Sequence, residues 1–144
     1  MLKGIDPLLN ADLLHILRAM GHGDDIVVVD ANFPATTMGR RVVRLDGVDA
    51  TRATEAILSV LPLDDFVDAP AARMEVVGEP KTVPPVCKEF QKLVDAAAGK
   101  HLELGRIERF AFYERAKAAY ALVATGERRL YGNLLLKKGV IRPK

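Results

Sequence analysis

The run Ile26-Val27-Val28-Val29 constrains the fold more than any other stretch of the chain. Every residue in it is β-branched, which favours an extended backbone. Side chains alternate between the two faces of a strand, so an unbroken apolar run needs apolar cover on both. A strand of this kind belongs inside a sheet with helices on either side. The rest of the chain supplies them, because helical and strand patterns alternate along residues 1–144. That alternation specifies one α/β domain with a mostly parallel or mixed central sheet.

The elements read as follows. Asn10 caps a helix through Met20, with Leu13, Leu14, Leu17 and Met20 on one face and Gly21 ending it in the left-handed conformation. Val42–Leu45 is a strand closed by the Asp46-Gly47 turn. Asp49 caps a helix over Ala50–Leu61, and Pro62 follows its end. Met74–Val77 reads as a strand, Pro84-Pro85 open a helix that runs to Gly99, and a further strand falls within Leu102–Ile107. A short helix at Phe112–Lys117 and strands at Tyr120–Ala124 and Leu134–Leu136 complete the domain, and Val140-Ile141 closes the chain.

Several function classes are excluded at this level. The 21 basic and 19 acidic residues are well mixed, with a formal net charge of +2, so no positive face for nucleic acid is expected. Arg128-Arg129, Lys137-Lys138, Asp24 and Asp25 read as solvated surface. The single cysteine, Cys87, excludes a disulfide within the chain and reads as a half-buried small residue on a helix. No apolar run is long enough to span a membrane, and Met1–Pro7 lacks an apolar signal core, so the expected compartment is the cytoplasm. His15, His22 and His101 lack metal-ligand spacing, and no metal is expected. Gly21-His22-Gly23 lacks the third glycine of a dinucleotide loop and follows a helix, so no nucleotide cofactor is expected either.

Three segments carry candidate chemistry. Gly21-His22-Gly23 sets an imidazole between two residues without side chains, ahead of the apolar strand, where backbone and ligand approach closely. Asp30 follows the same strand, at the end where ligands bind in open α/β sheets. His22 and Asp30 are separated by roughly 25 Å of extended chain. Either the chain bends back, or two subunits meet. Arg109-Phe110-Ala111-Phe112-Tyr113-Glu114-Arg115-Ala116 combines aromatic faces with a guanidinium, which suits a sugar ring and its hydroxyls; it equally suits an amphipathic helix whose aromatics join the core or a subunit contact. Arg115 with Glu114 reads as a surface pair, and His15 and His101 as exposed. Tyr131-Gly132-Asn133, just before the last strand, offers a phenol, an amide and close backbone access.

Met20-Gly21-His22-Gly23-Asp24, Asp30-Ala31-Asn32-Phe33-Pro34-Ala35 and Met38-Gly39 together resemble the amino-terminal signature of the fucose mutarotase and ribose pyranase family. The Arg109–Ala116 segment, Thr125-Gly126-Glu127, Tyr131-Gly132-Asn133 and Leu135-Leu136-Lys137-Lys138-Gly139-Val140 resemble its fucose branch. The ribose branch carries a histidine near the place of Arg109. Two departures from the fucose pattern fall at Asn32, often a histidine in that branch, and at Thr36-Thr37.

The resemblance implies a three-layer αβα fold, a ring-shaped homo-oligomer expected as a decamer of two pentamers, and sites formed between neighbouring subunits. It implies that His22 is the catalytic acid/base and Asp30 a substrate contact, that Arg109, Tyr131 and Asn133 hold sugar hydroxyls, and that Gly132 permits close approach. The expected activity is cofactor-free mutarotation of a monosaccharide, L-fucose first. Pyranose–furanose exchange of D-ribose and non-catalytic sugar binding are the alternatives.

Overall fold

The computed structural model describes residues 1–144. Its strands are β1 (Asp25–Val29), β2 (Val42–Leu45), β3 (Ala71–Met74), β4 (Gly105–Ile107), β5 (Ala121–Thr125) and β6 (Leu134–Lys137). Its helices are α1 (Ala11–Ala19), α2 (Ala35–Met38), α3 (Ala50–Leu58), α4 (Pro85–Ala98) and α5 (Arg109–Ala118). The sheet has six strands in the order β2-β5-β1-β6-β3-β4. β1 pairs parallel with β5, as β5 does with β2 and β3 with β4; β6 pairs antiparallel with both β1 and β3. Five strands therefore share a direction and β6 alone runs against them.

Ile26, Val27, Val28 and Val29 are all fully buried, as the opening run requires. Ile26 and Val28 join the larger core under α1, α3 and α4, with Leu13, Ile57 and Phe90. Val27 and Val29 join the smaller core on the opposite face, with Ala35 of α2 and Phe112 and Ala116 of α5. The result is three layers. No helix is long and apolar enough to cross a membrane.

Local chemistry sets the helix ends. The Asn10 side chain accepts from the Leu13 N–H, and Asp49 accepts from Arg52. α1 stops one residue earlier than the sequence suggests: Met20 is extended, and the left-handed glycine is Gly23. Lys138 replaces the glycine cap, donating from Nζ to the carbonyls of Leu17 and Met20. α5 begins at Arg109, earlier than expected, because the Glu108 carboxylate accepts from the N–H groups of Phe110 and Ala111. α3 ends at Leu58, yet Leu61 stays in the core.

The third strand is displaced. It occupies Ala71–Met74, whereas Val76 and Glu79 close a turn around Gly78 and Val77 is exposed. Alanine has little intrinsic β preference, so Ala71-Ala72 enters the sheet through its neighbours rather than through its own pattern. Several surface readings also change. Asp25 pairs with Lys137 at 2.8 Å and Arg115 at 3.4 Å, while Glu114 pairs with Lys117. Cys87 is fully buried, and α2 has no clear sequence pattern.

Candidate active site

Because five strands share a direction, their carboxyl ends meet the amino end of β6 along one edge of the sheet. Asp30 leaves β1 there, and Asn133 enters β6 beside it. The Asp30 N–H donates to Asn133 Oδ1 at 2.9 Å, and Asn133 Nδ2 donates back to Asp30 Oδ2 at 3.2 Å. Asp30 Oδ1 accepts from the Asn32 N–H at 3.0 Å, turning the chain immediately after the strand. Both residues are buried. Burial pushes the Asp30 carboxyl above the usual carboxylate range, against the lowering effect of the Asn32 and Asn133 donors. Each carboxylate oxygen retains acceptor capacity for a further donor.

Around this pair opens a cleft of about 240 Å³, lined by Phe33, Met74, Arg109, Tyr113 and Tyr131 besides Asp30 and Asn133. Arg109 heads α5, and its Nε donates to the Tyr113 hydroxyl at 3.0 Å. Phe33 meets Tyr113 edge-on, with ring centroids 5.4 Å apart. Tyr131 has a φ of 64° and is the sole non-glycine residue with positive φ. That conformation costs about 1–2 kcal/mol, and such strain clusters where a side chain must point one way. The Val77 N–H fixes the phenol by donating to its oxygen at 3.1 Å.

Gly132 lies behind the cleft rather than on its wall. A Cβ there would stand 2.7 Å from Glu127 Cγ. Glu127 cannot swing aside, because it accepts from the backbone N–H groups of Ala50 and Arg129 and pairs with the Arg129 guanidinium. Gly132→Ala should therefore cost about 1–3 kcal/mol, as overpacked cores do, and lower the melting temperature in a calorimetric scan.

His22 occupies the opposite end of the sheet. It precedes β1, a strand of 5 residues, and its own neighbours are Asp64 and Phe66. His22 Nε2 lies 3.0 Å from Asp64 Oδ1, and the two ring centroids of His22 and Phe66 are 5.0 Å apart. Burial acts to raise the Asp64 carboxyl, but hydrogen bonds from His22 and the Phe66 N–H outweigh it and hold it below its ordinary value. The Asp64 side chain is 4% exposed and that of His22 is 43% exposed. The imidazole is thus oriented by a buried carboxylate while its ring stays open to the surroundings. One chain thus gathers Asp30, Arg109, Tyr131 and Asn133 at one end and leaves His22 at the other.

Asp64, Phe66 and Met74 had no signal that singled them out for a site, whereas Tyr113 fell within the aromatic Arg109–Ala116 segment without being picked out individually. Asp64 lies in a loop with nothing but an adjacent acid, Asp65, to mark it. Met74 reaches the cleft only because β3 ends there.

A three-layer αβα domain with a polar, aromatic-walled cleft at the carboxyl ends of its strands is a small-molecule-binding architecture. Residues 3–141 match the model of the RbsD / FucU transport protein family, and the chain belongs to that family. It is 49% identical to human "Fucose mutarotase", over 97% of this chain and 94% of that one. A fucose mutarotase from Streptococcus pneumoniae in complex with L-fucose superposes with a TM-score of 0.91 at 39% identity, covering 98% of this chain and all (100%) of the other. Bacillus subtilis RbsD complexed with D-ribose shares the fold at a TM-score of 0.72 and 21% identity, covering 99% of this chain and 100% of that one.

Proposed function

We propose that this chain is an isomerase that interconverts the α and β anomers of L-fucose by acid–base opening of the sugar ring. The observation that carries the reading is the cleft. A buried carboxylate and a buried amide, fixed to each other, face the space between Tyr113, Tyr131 and Phe33 at a size suited to a single sugar ring. Hydroxyls of the sugar donate to the remaining acceptor sites of Asp30. Asn133, Arg109 and Tyr131 supply the complementary groups, and the aromatic walls cover the apolar face of the ring.

Mutarotation removes the proton from the anomeric hydroxyl and delivers a proton to the ring oxygen as the bond from the anomeric carbon to that oxygen breaks. The open aldehyde rotates, and closure on its other face reverses both transfers. Imidazole suits this because it exchanges protons in both directions near neutrality. His22, held by Asp64, takes that role, and it reaches the cleft of a neighbouring subunit in a ring-shaped assembly, expected as a decamer of two pentamers in the cytoplasm. No group beyond the side chains is needed for these steps.

Arg109 stands where the ribose branch carries a histidine, which favours fucose over ribose. Saturation-transfer NMR on L-fucose, repeated with D-ribose, tests the reading. Exchange between α- and β-fucopyranose should accelerate strongly with catalytic amounts of protein, and ribose much less. Binding of fucose with no gain in exchange would reduce the protein to a sugar binder.

A further inference from the structure

A second cavity lies on the other face of the sheet, between α4 and the β3–β4 edge, with a volume of about 560 Å³. Its floor is Arg73. This arginine is 3% exposed and forms no ion pair. Its one hydrogen bond runs from Nη1 to the adjacent Met74 carbonyl at 3.4 Å, longer than an ordinary N–H···O bond. The rest of the guanidinium points into a groove bordered by Lys88 and Lys92 of α4, Lys81 of the preceding loop and Arg106 of β4. Glu103 is the only carboxylate along this lining. Arg106 is moreover the register partner of Arg73 on the neighbouring strand; it is exposed, and its Nη1 donates to the Pro80 carbonyl at 3.1 Å.

Such an arrangement is costly when empty. A buried cation without a counter-ion loses solvation that one long hydrogen bond only partly replaces, and like charges on paired strands repel. Planar guanidinium groups match the oxygens of phosphate in bidentate fashion, and lysines at the rim add unspecific charge. We propose that this groove binds the phosphate group of a small anion, with Arg73 and Arg106 as its principal donors. It is separate from the sugar cleft, although adjacent to it: Met74, the next residue along β3, lines the cleft from the opposite face, and the Cys87 thiol at the groove donates to the Tyr131 carbonyl at 3.6 Å.

The test is a titration of the intact protein with inorganic phosphate, against chloride at matched ionic strength, read by ³¹P NMR and by thermal unfolding. Wild type should show a saturable phosphate shift and a rise in melting temperature. Arg73→Met should melt higher than wild type without phosphate, since it removes an unpaired buried charge. It should also bind phosphate about tenfold or more weakly, the loss of a charge-assisted hydrogen bond. If Arg73→Met does not fold, the exposed substitutions Arg106→Gln and Lys88→Gln decide, and undiminished affinity in both overturns the site. So does phosphate without a saturable effect in wild type, the result expected if another copy of the chain fills the groove. A parallel titration with a hexose phosphate separates free phosphate from a phosphorylated metabolite: tighter binding of either supports the site and names the source. None of these readouts depends on sugar exchange.

Discussion

Assemblies made only of His22→Ala or only of Asp30→Ala chains should each lose L-fucose anomer exchange, and co-refolded mixtures of the two should regain about a quarter of the wild-type rate. In His22→Ala the loss follows from the proton transfer, since removing a general acid–base group costs about 10²–10⁴-fold; in Asp30→Ala it follows from removing the carboxylate proposed to hold the sugar hydroxyls. The recovery follows from geometry. His22 and Asp30 lie at opposite ends of β1, so under the proposed function a working site would take His22 from one chain and Asp30 from another. In a random equimolar mixture, about one interface in four pairs two intact residues. Circular dichroism establishes that both variants fold. Two folded, inactive variants that stay inactive together would disprove a site shared between subunits.

Glu127→Ala should lower stability by about 3 kcal/mol, or roughly 10 °C in melting temperature for a chain of this size. Glu127 is 3% exposed. Its carboxylate accepts from the Ala50 N–H at 3.2 Å, which opens α3, and from the Arg129 N–H at 3.0 Å. It also pairs with the Arg129 guanidinium at 2.9 Å. Truncation leaves a buried donor at Ala50 without a partner and removes one of the two carboxylates that hold Arg129, Glu89 being the other. The pair with Arg129, aided by the two backbone donors, keeps the Glu127 carboxyl below its ordinary value against the opposing effect of burial. A depressed folded value means that the stabilisation is complete above the unfolded pKa of about 4.3 and disappears as pH falls through the folded value. The wild-type and Glu127→Ala melting curves should therefore converge in acid. A gap that stays constant down to strongly acidic pH would mean that the carboxylate charge contributes nothing.

Asp30 acts in the opposite sense. Its carboxyl is raised by burial, so its contribution is complete below the unfolded value and is lost as pH rises through the folded one. The cleft thus holds a carboxyl whose desolvation outweighs the donors from Asn32 and Asn133. Glu127 and Asp30, which follow the neighbouring strands β5 and β1, are thus distinguishable by the sign of their pH dependence.

Much of the fold was legible in the sequence because its strongest signals are local. The Ile26–Val29 run specified a strand covered on both faces, and both cores formed on it. Asn10 and Asp49 announced their helices through capping oxygens, and Pro85 and Gly99 bounded α4. The third strand was misplaced by three residues for the same reason: Val76-Val77 carries the local β signal, whereas Ala71-Ala72 is drawn into the sheet by pairing with Leu135 and Leu136. Charge pairing was equally hidden, since Asp25 meets Lys137 only across the antiparallel β1–β6 ladder.

By itself the sequence determined an α/β domain around a doubly covered strand. It also determined the positions of His22, Asp30, Arg109 and the Tyr131–Asn133 turn, and through resemblance the family. These are properties of short segments, fixed by side-chain periodicity, capping chemistry and motif. Only the tertiary structure decided that β6 runs against the other five strands, which brings Asn133 against Asp30 across 103 positions of sequence. It alone showed the His22–Asp64 pair at the far end and the unpaired Arg73 beneath α4. Long-range pairing depends on which strands become neighbours, and that choice is made by packing of the whole sheet, which no local window of residues encodes.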